Sequence, residues 1–154
     1  MGKAIGRSEK TFQGEFRQSL KSLPGTKFYH KIVDAGFRNP FDAIMNYKGI
    51  LYGLEYKICK NTISIPLVGM FKGREHELDY LRAVKKSGGQ EYILVNIYEP
   101  RKRNEILVLD INQYEMLLDH VAPKKSIKLN DPILSKCLFI QKTSDGYDLN
   151  PLIK

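Results

Sequence analysis

Two short apolar runs joined by a tight turn constrain this chain more than any other feature. The runs cover residues 41–47 and 50–59, and Lys48-Gly49 between them is a two-residue loop of the kind that closes a β-hairpin. Each step outward along one strand is then matched by a step along the other, so Asp42 falls directly opposite Glu55. Opposed residues of an antiparallel pair hold their Cβ atoms roughly 4.5–5.5 Å apart on one face. The hairpin therefore predicts two adjacent carboxylates.

Two such carboxylates repel each other unless a cation lies between them. Mg²⁺ is suited to that place because it prefers carboxylate and carbonyl oxygens, and Mn²⁺ is a possible substitute. We therefore interpret Asp42 and Glu55 as metal ligands and the backbone carbonyl of Tyr56 as a further ligand. Lys57 projects from the same face as Glu55 and would orient an attacking water and offset charge on a phosphodiester. The alternative is an ordinary surface hairpin, because Glu-x-Lys alone is a weak signal.

Charge and length narrow the class of protein. Lys and Arg number 25 against 17 Asp and Glu, and the resulting charge of +8 favours a polyanionic partner such as nucleic acid or an anionic membrane surface. A chain of 154 residues with 42% hydrophobic residues suits one domain with a real core. The N-terminus lacks the apolar region of a signal peptide, and no apolar run approaches the ~18 residues of a membrane span. We expect a cytoplasmic protein, cellular or phage-encoded, with no membrane association and with Cys59 and Cys137 reduced.

Hydrophobic periodicity predicts helices and strands that alternate along the chain. The predicted helices cover residues 9–23, 73–87 and 111–120, and the predicted strands cover residues 27–33, 41–47, 50–59, 92–98 and 105–109. Interleaving of this kind predicts an α/β fold with a mixed central sheet of about five strands flanked by helices. The pattern weakens after Pro123, where residues 137–141 and 148–153 form a possible late hairpin.

Asp42 followed by Glu55-Tyr56-Lys57 resembles the D…E-x-K core of the PD-(D/E)XK nuclease superfamily, with the proline displaced to Pro40. Flanking segments narrow the resemblance to Holliday-junction resolvases of the archaeal Hjc and bacterial RecU types, over roughly residues 10–118. Three further segments carry the resemblance: Gly14-Glu15-Phe16 matches an early Gly-x-Glu-like segment, the run from Glu55 to Pro66-Leu67 is similar in order, and His76-Glu77 resembles the start of the following helix.

The resemblance implies a restriction-endonuclease-like nuclease domain, which we assign to residues 1–122. Residues 123–154 have no counterpart in the resemblance, and we expect them to form a basic C-terminal extension that packs on the same domain. The resemblance implies a Mg²⁺-dependent endonuclease that resolves four-way DNA junctions by paired symmetric cuts and works as a homodimer. It also implies that Glu15 completes the acidic site, reaching the metal through a water. The short segment Asp34–Asn39 leaves no room for the long insertion that RecU uses as a junction-binding stalk, so the compact Hjc architecture fits better.

Several basic residues near these motifs are candidates for DNA contact: Lys10, Arg17, Lys60, Arg74 and His76. Lys60 would equally flank a strand, and His76 would equally be a core or boundary histidine. Arg101-Lys102-Arg103 is a hairpin charge run, for which a solvated loop is the default and phosphate contact is secondary. Two alternative functions stay open, namely another nuclease of the same fold, of restriction or repair type, and a non-catalytic basic DNA-binding module. Opposed carboxylates argue against the second, because binding DNA does not require them.

Overall fold

The computed structural model describes residues 7–25, 27–32, 42–60 and 63–153. The helices are α1 (Glu9–Ser19), α2 (His76–Lys86) and α3 (Ile111–Val121), and short 3₁₀ helices cover Leu20–Ser22, Gly69–Phe71, Pro132–Lys136 and Asn150–Ile153. The strands are β1 (Lys27–Lys31), β2 (Ala43–Tyr47), β3 (Ile50–Cys59), β4 (Ser64–Ile65), β5 (Gln90–Glu99), β6 (Arg103–Leu109), β7 (Ile127–Lys128), β8 (Leu138–Thr143) and β9 (Gly146–Tyr147).

Within the described residues, the main sheet is mixed and has seven strands in the order β1-β2-β3-β5-β6-β8-β9. Only β3 and β5 are parallel neighbours in this described sheet, and α2 lies in the crossover between them. The prediction of a mixed α/β sheet flanked by helices is confirmed. The predicted number of about five strands was too low, because β8 and β9 of the C-terminal segment extend the edge beyond β6. A second, two-stranded sheet joins β4 to β7.

Local signals explain where the helices begin and end. Ser8 accepts a hydrogen bond from the Thr11 N–H at 3.1 Å and caps α1, and Asp110 forms a capping box with Gln113 at the start of α3. Gly88, with φ of +94°, follows α2 in the left-handed conformation that ends many helices. All three predicted helices are present: α1 and α2 are shorter than predicted, and α3 extends one residue beyond the predicted end. The segment Asp34–Asn39 and the displaced Pro40 lie outside the described residues.

The sheet is covered on both faces. Because side chains alternate between the two faces along β3, Glu55 and Lys57 lie on one face and Tyr56 lies on the other. Tyr56 lies on the face covered by α1, where the Phe12 and Phe16 rings each meet its ring edge-on at 5.4 Å. The opposite face carries a second core, to which α2 and α3 contribute. Since successive side chains of a strand point to opposite faces, Glu55 and Lys57 point toward the α2 side.

The C-terminal segment packs in the same core as α1. Tyr147 and Leu152 are buried in the cluster that holds Phe12 and Phe16. The late hairpin is present as β8 and β9, but the predicted strand over residues 148–153 is wrong, since residues Asn150–Ile153 form a 3₁₀ helix. Two local features explain the helical turn: Pro151 cannot donate to a strand ladder, and the Asp148 side chain accepts the Asn150 N–H at 3.2 Å.

The described part of the chain contains neither a helix long and apolar enough to cross a membrane nor a disulfide. Cys59 is buried and Cys137 is half-buried.

Candidate metal centre

The hairpin register is the one that the sequence predicts. Tyr47 pairs with Ile50 and Ala43 with Leu54 in the β2–β3 ladder, around a turn in which Lys48 and Gly49 have φ of 53° and 81°. Asp42 follows one step beyond the ladder. Its N–H donates to the Leu54 carbonyl at 3.0 Å, and its Oδ2 accepts the Tyr56 N–H at 2.8 Å. These two bonds fix the Asp42 carboxylate against β3 beside Glu55.

Three carboxylates meet at this point: Asp42, Glu55 and Glu77 each place one oxygen within 4.8 Å of the others. We call this group the acidic centre. Glu77 comes from the first turn of α2, which packs on β3 and β5. Glu55 and Glu77 are each only 1% exposed, so their charges are not dispersed by water.

Two cations border the acidic centre. Lys57, 5% exposed, places Nζ at 3.5 Å from Glu55 Oε1 and 3.3 Å from Glu77 Oε1. The same ammonium lies 4.6 Å from the centre of the Phe71 ring, which holds the side chain in place. Arg74 binds both oxygens of Glu77, with Nε to Oε1 at 3.1 Å and Nη2 to Oε2 at 3.2 Å. Among the residues that the structure describes, two cations therefore face three carboxylates.

This imbalance sets the protonation of the centre. Burial, then the charge of Asp42 and a hydrogen bond with Glu77, raise the pKa of Glu55 to about 11. The pKa of Glu77 is lowered, because the hydrogen bond from Glu55 and the charges of Lys57 and Arg74 together outweigh the opposing effect of its burial. The two pKa shifts run in opposite directions, so they favour a proton on Glu55 over one on Glu77.

The residues of the acidic centre fit a hard divalent cation. Glu55 Oε2 is buried and has no hydrogen-bond partner among the described residues, which is costly for a polar atom. All three side chains offer oxygen, the donor type that Mg²⁺ and Mn²⁺ prefer. A cation held by Asp42, Glu55 and Glu77 would take the place of the proton on Glu55 and compensate the charge of all three carboxylates. The role predicted for the Tyr56 carbonyl stays a prediction.

The structure places Glu15 in a different network. Arg7 binds both Glu15 oxygens, with Nη1 to Oε2 at 2.8 Å, and the Tyr147 hydroxyl donates to Oε1 at 3.1 Å. The hydrogen bond from Arg7 lowers the pKa of Glu15. Arg7 also donates to Asn96 at 2.9 Å, which ties the start of α1 to β5. The described acidic centre does not include Glu15, so its action through a water stays a prediction.

Two acidic residues near the centre were missed by sequence reasoning. Glu77 precedes Leu81 by four residues, so it lies on the buried stripe of α2. A carboxylate on an otherwise apolar stripe was the sequence pattern that could have marked Glu77 as a site residue. Glu9, in the first turn of α1, lies close enough to Lys57 and Asp42 for their charges to shift its pKa. Burial is the largest cause of its raised pKa; Asp42 adds to the rise and Lys57 opposes it. No comparable pattern marked Glu9 in the sequence.

The residues predicted to contact DNA occupy different positions. Arg74 borders the acidic centre, and the half-buried His76 begins α2 with its ring edge-on to Tyr80 at 6.3 Å. Lys60 is exposed just after β3. Lys10 and Arg17 are exposed on α1, and the Arg17 guanidinium lies 5.7 Å from the centre of the Tyr29 ring. Their contacts with DNA stay predictions.

Comparison with known proteins agrees with the resemblance seen in the sequence. The chain is 30% identical over 82 residues to the Holliday junction resolvase RecU of Shouchella clausii (strain KSM-K16), a match that covers 53% of this chain and 37% of that protein. The chain thus matches little more than a third of the length of this relative. No family model matches the sequence.

Among solved structures, Hjc of Archaeoglobus fulgidus, a Holliday junction resolvase from an archaeal hyperthermophile, aligns over 84% of this chain and 91% of that chain. The TM-score is 0.49 and the sequence identity is 16%. A TM-score at this level does not establish a common fold, so the fold class rests on the sheet topology itself. The chain is similar at low identity to Holliday-junction resolvases of the PD-(D/E)XK type.

Proposed function

We propose that this protein is a divalent-metal-dependent endonuclease that resolves four-way DNA junctions. The observation that carries the proposal is the acidic centre, in which Glu55 keeps a buried oxygen that has no hydrogen-bond partner within the described ranges, beside Asp42 and Glu77. A binding module would gain nothing from burying three carboxylates against two cations. The similarity to RecU supports the junction as substrate.

The chemistry follows from the arrangement of the side chains. Asp42, Glu55 and Glu77 would hold Mg²⁺, or Mn²⁺ in its place, and the bound cation would supply Lewis acidity toward the phosphodiester. Lys57 Nζ lies within 3.5 Å of both Glu55 and Glu77, where it would orient the attacking water and stabilise the charge that develops on phosphorus. The Phe71 ring beneath the ammonium restricts its motion, which preserves that position.

The proposed substrate implies an oligomeric state for the protein. Resolving a four-way junction requires cuts in two strands, and a two-fold-symmetric homodimer supplies two active sites related as the two cuts are. We infer paired cuts placed symmetrically about the branch point. Recognition would use the shape and phosphate charge of the junction, without base readout. The DNA would be met in the cytoplasm of a cell or of a phage-infected host.

A cleavage assay tests the proposal. Labelled four-way junction and linear duplex of matched sequence are incubated with the wild type and with Asp42→Asn, each with Mg²⁺ and with EDTA. We expect the wild type to cut the junction symmetrically with Mg²⁺ and not with EDTA. Asp42→Asn should bind the junction without cleaving it.

Glu75→Gln is the matched control, because Glu75 is an exposed acid at the start of α2 that lies outside the acidic centre. It should cut as the wild type does. Cleavage by Asp42→Asn at saturating Mg²⁺ would contradict the metal site. Equal cutting of junction and duplex would leave a nuclease and remove the resolvase assignment.

A further inference from the structure

The surface beyond the acidic centre contains three neighbouring concavities that share residues. The first, of about 710 Å³, is lined by Arg101, Lys102, Arg103 and Lys142 among others. The second, of about 400 Å³, adjoins it through Arg103 and adds Lys128 and Asn130. The third, of about 800 Å³, adjoins the second through Lys128 and Asn130. Together they form one trough whose cationic residues we call the basic edge: Arg101, Lys102, Arg103, Lys124, Lys125, Lys128 and Lys142.

Few acidic residues of the trough offset these cations. Lys102 pairs with Glu99 at 3.5 Å, Arg103 pairs with Glu105, and Asp131 pairs with His120 at 2.9 Å. Within the described ranges, five members of the basic edge form no ion pair: Arg101, Lys124, Lys125, Lys128 and Lys142. All five are exposed. Like charges gathered along one trough attract an extended polyanion.

The backbone at Arg101 gives an independent indication. The turn from Glu99 to Lys102 is closed by the Lys102 N–H, which donates to the Glu99 carbonyl at 3.0 Å, and it places Arg101 third with φ of +65°. A turn with Pro100 second and a positive φ at the third residue favours glycine or asparagine there, because a Cβ is strained in this conformation. Strain of this kind is typical of functional positions, and here it sets a guanidinium at the tip of the β5–β6 turn.

The topology places the trough at the catalytic end of the sheet. β5 runs parallel to β3, with Val95 opposite Lys57, so the turn after β5 lies at the same end of the sheet as the carboxyl end of β3. Tyr98 lines the first concavity, and the Arg7 guanidinium lies 4.6 Å from the centre of its ring. Arg7 lies in the segment that leads into α1. The trough and the acidic centre therefore lie toward the same end of the sheet.

We propose that the basic edge binds the sugar-phosphate backbone of a DNA arm that extends from the acidic centre. The inference rests on the proposed function for the identity of the polyanion. A concave trough suits a chain that lies in it, whereas a membrane surface is bound by protruding side chains or an amphipathic helix face. The C-terminal segment thereby has a role in substrate binding, through Lys124, Lys125, Lys128 and Lys142, that is separate from phosphodiester chemistry.

Salt-dependent binding tests the inference. Fluorescence anisotropy in EDTA measures the affinity of the full chain for a labelled four-way junction over a range of salt concentrations, for the wild type, Arg101→Gly and the double variant Lys125→Gln with Lys128→Gln. Each lost phosphate contact should reduce the slope of log K against log salt by about 0.9. We expect the slope to fall by the amount of one lost contact in Arg101→Gly and of two lost contacts in the double variant. Both variants should bind the junction more weakly. Arg101→Gly should melt at the wild-type temperature or above, because glycine relieves the turn.

Lys48→Gly is the matched control. Lys48 is also a cation at positive φ in a hairpin turn, but that turn lies at the opposite end of β3 from Lys57. The control should bind with the wild-type salt slope. Equal losses in Lys48→Gly and Arg101→Gly, or unchanged slopes in all variants, would overturn the inference. So would a loss of binding to phosphatidylserine vesicles in Arg101→Gly with no loss of DNA binding.

Cleavage separates this inference from the proposed function. At sub-saturating junction with Mg²⁺, Arg101→Gly should cut more slowly in proportion to its weaker binding, whereas the control Lys48→Gly, which lies outside the basic edge, should cut as the wild type does. If the wild type cuts no DNA, the proposed function fails, and the binding slopes still decide whether the basic edge contacts DNA.

Discussion

Replacing Glu55 with glutamine should make the metal-free protein more stable while abolishing cleavage. Burial and the neighbouring Asp42 raise the pKa of Glu55 from 4.5 to about 11, so folding at neutral pH takes up a proton. At about pH 7.5 the pH lies roughly 3 units above the pKa of this carboxyl in the unfolded chain. At about 1.36 kcal/mol per unit, the proton uptake lowers the free energy of unfolding by roughly 4 kcal/mol. Glutamine is neutral at every pH and can still donate to Glu77. We therefore expect a gain of about 1–4 kcal/mol in EDTA, which corresponds to a rise in Tm of several degrees.

The sign of the pH dependence follows from the direction of the shift. An acid whose pKa is raised by folding costs stability above its unfolded pKa, so wild-type stability should fall as pH rises above about 4.5. The slope from this group is about −1.4 kcal/mol per pH unit, and Glu55→Gln should lack it. Urea denaturation of both proteins in EDTA, from about pH 6 to about pH 8, measures the difference directly.

Adding Mg²⁺ provides the second half of the test. The cation should raise the Tm of the wild type and leave that of Glu55→Gln nearly unchanged, because a ligand that binds only the folded state stabilises it. Glu75→Gln, the exposed neighbour on α2, should match the wild type in both media. If Glu55→Gln is less stable than the wild type in EDTA, or if the two proteins have the same pH slope, the carboxyl is not held protonated by its surroundings and the reasoning is refuted.

The remaining predictions concern catalysis, packing and assembly. Lys57→Ala should slow cleavage by about 10²-fold or more, since one charge-stabilising group is worth roughly 2.7–4 kcal/mol, and retention of half the activity would make it a structural lysine. Glu77→Gln should reduce both cleavage and the Mg²⁺-induced rise in Tm, measured beside Glu75→Gln, and unchanged values would remove Glu77 from the acidic centre. Phe12→Ala should lower the free energy of unfolding by about 3–5 kcal/mol in urea, because its fully buried ring packs on Tyr56, and a cost below about 1 kcal/mol would contradict that packing. Light scattering should find a dimer, and a monomer at the working concentration would exclude paired cuts by one stable assembly.

The β2–β3 hairpin shows what was predictable from the sequence. A two-residue loop at Lys48-Gly49 fixes the register, and the register alone sets Asp42 beside Glu55. Alternation along β3 then puts Glu55 and Lys57 on one face. These relations are local, because they depend on residues that are neighbours in the chain or across one turn. Helix caps such as Asp110 are local for the same reason.

Residues far apart in the chain required the tertiary structure. The number of strands was underestimated because the pairing of β8 with β6 joins distant segments, and no periodicity within either strand indicates its neighbour. Glu15 carried the expected motif, yet Arg7 and Tyr147 bind its carboxylate, and Tyr147 lies on the last strand of the sheet. The partners of a side chain are decided by what packs on it, which a local pattern does not contain.

The acidic centre joins both kinds of information. The sequence by itself determined the pair Asp42 and Glu55 with Lys57 beside it, because hairpin geometry and strand alternation permit no other arrangement once the turn is set. Only the tertiary structure decided that Glu77 completes the group, since α2 must fold back over the sheet before its first turn reaches β3. That packing also buries the site, and burial together with the charge of Asp42 is what raises the pKa of Glu55.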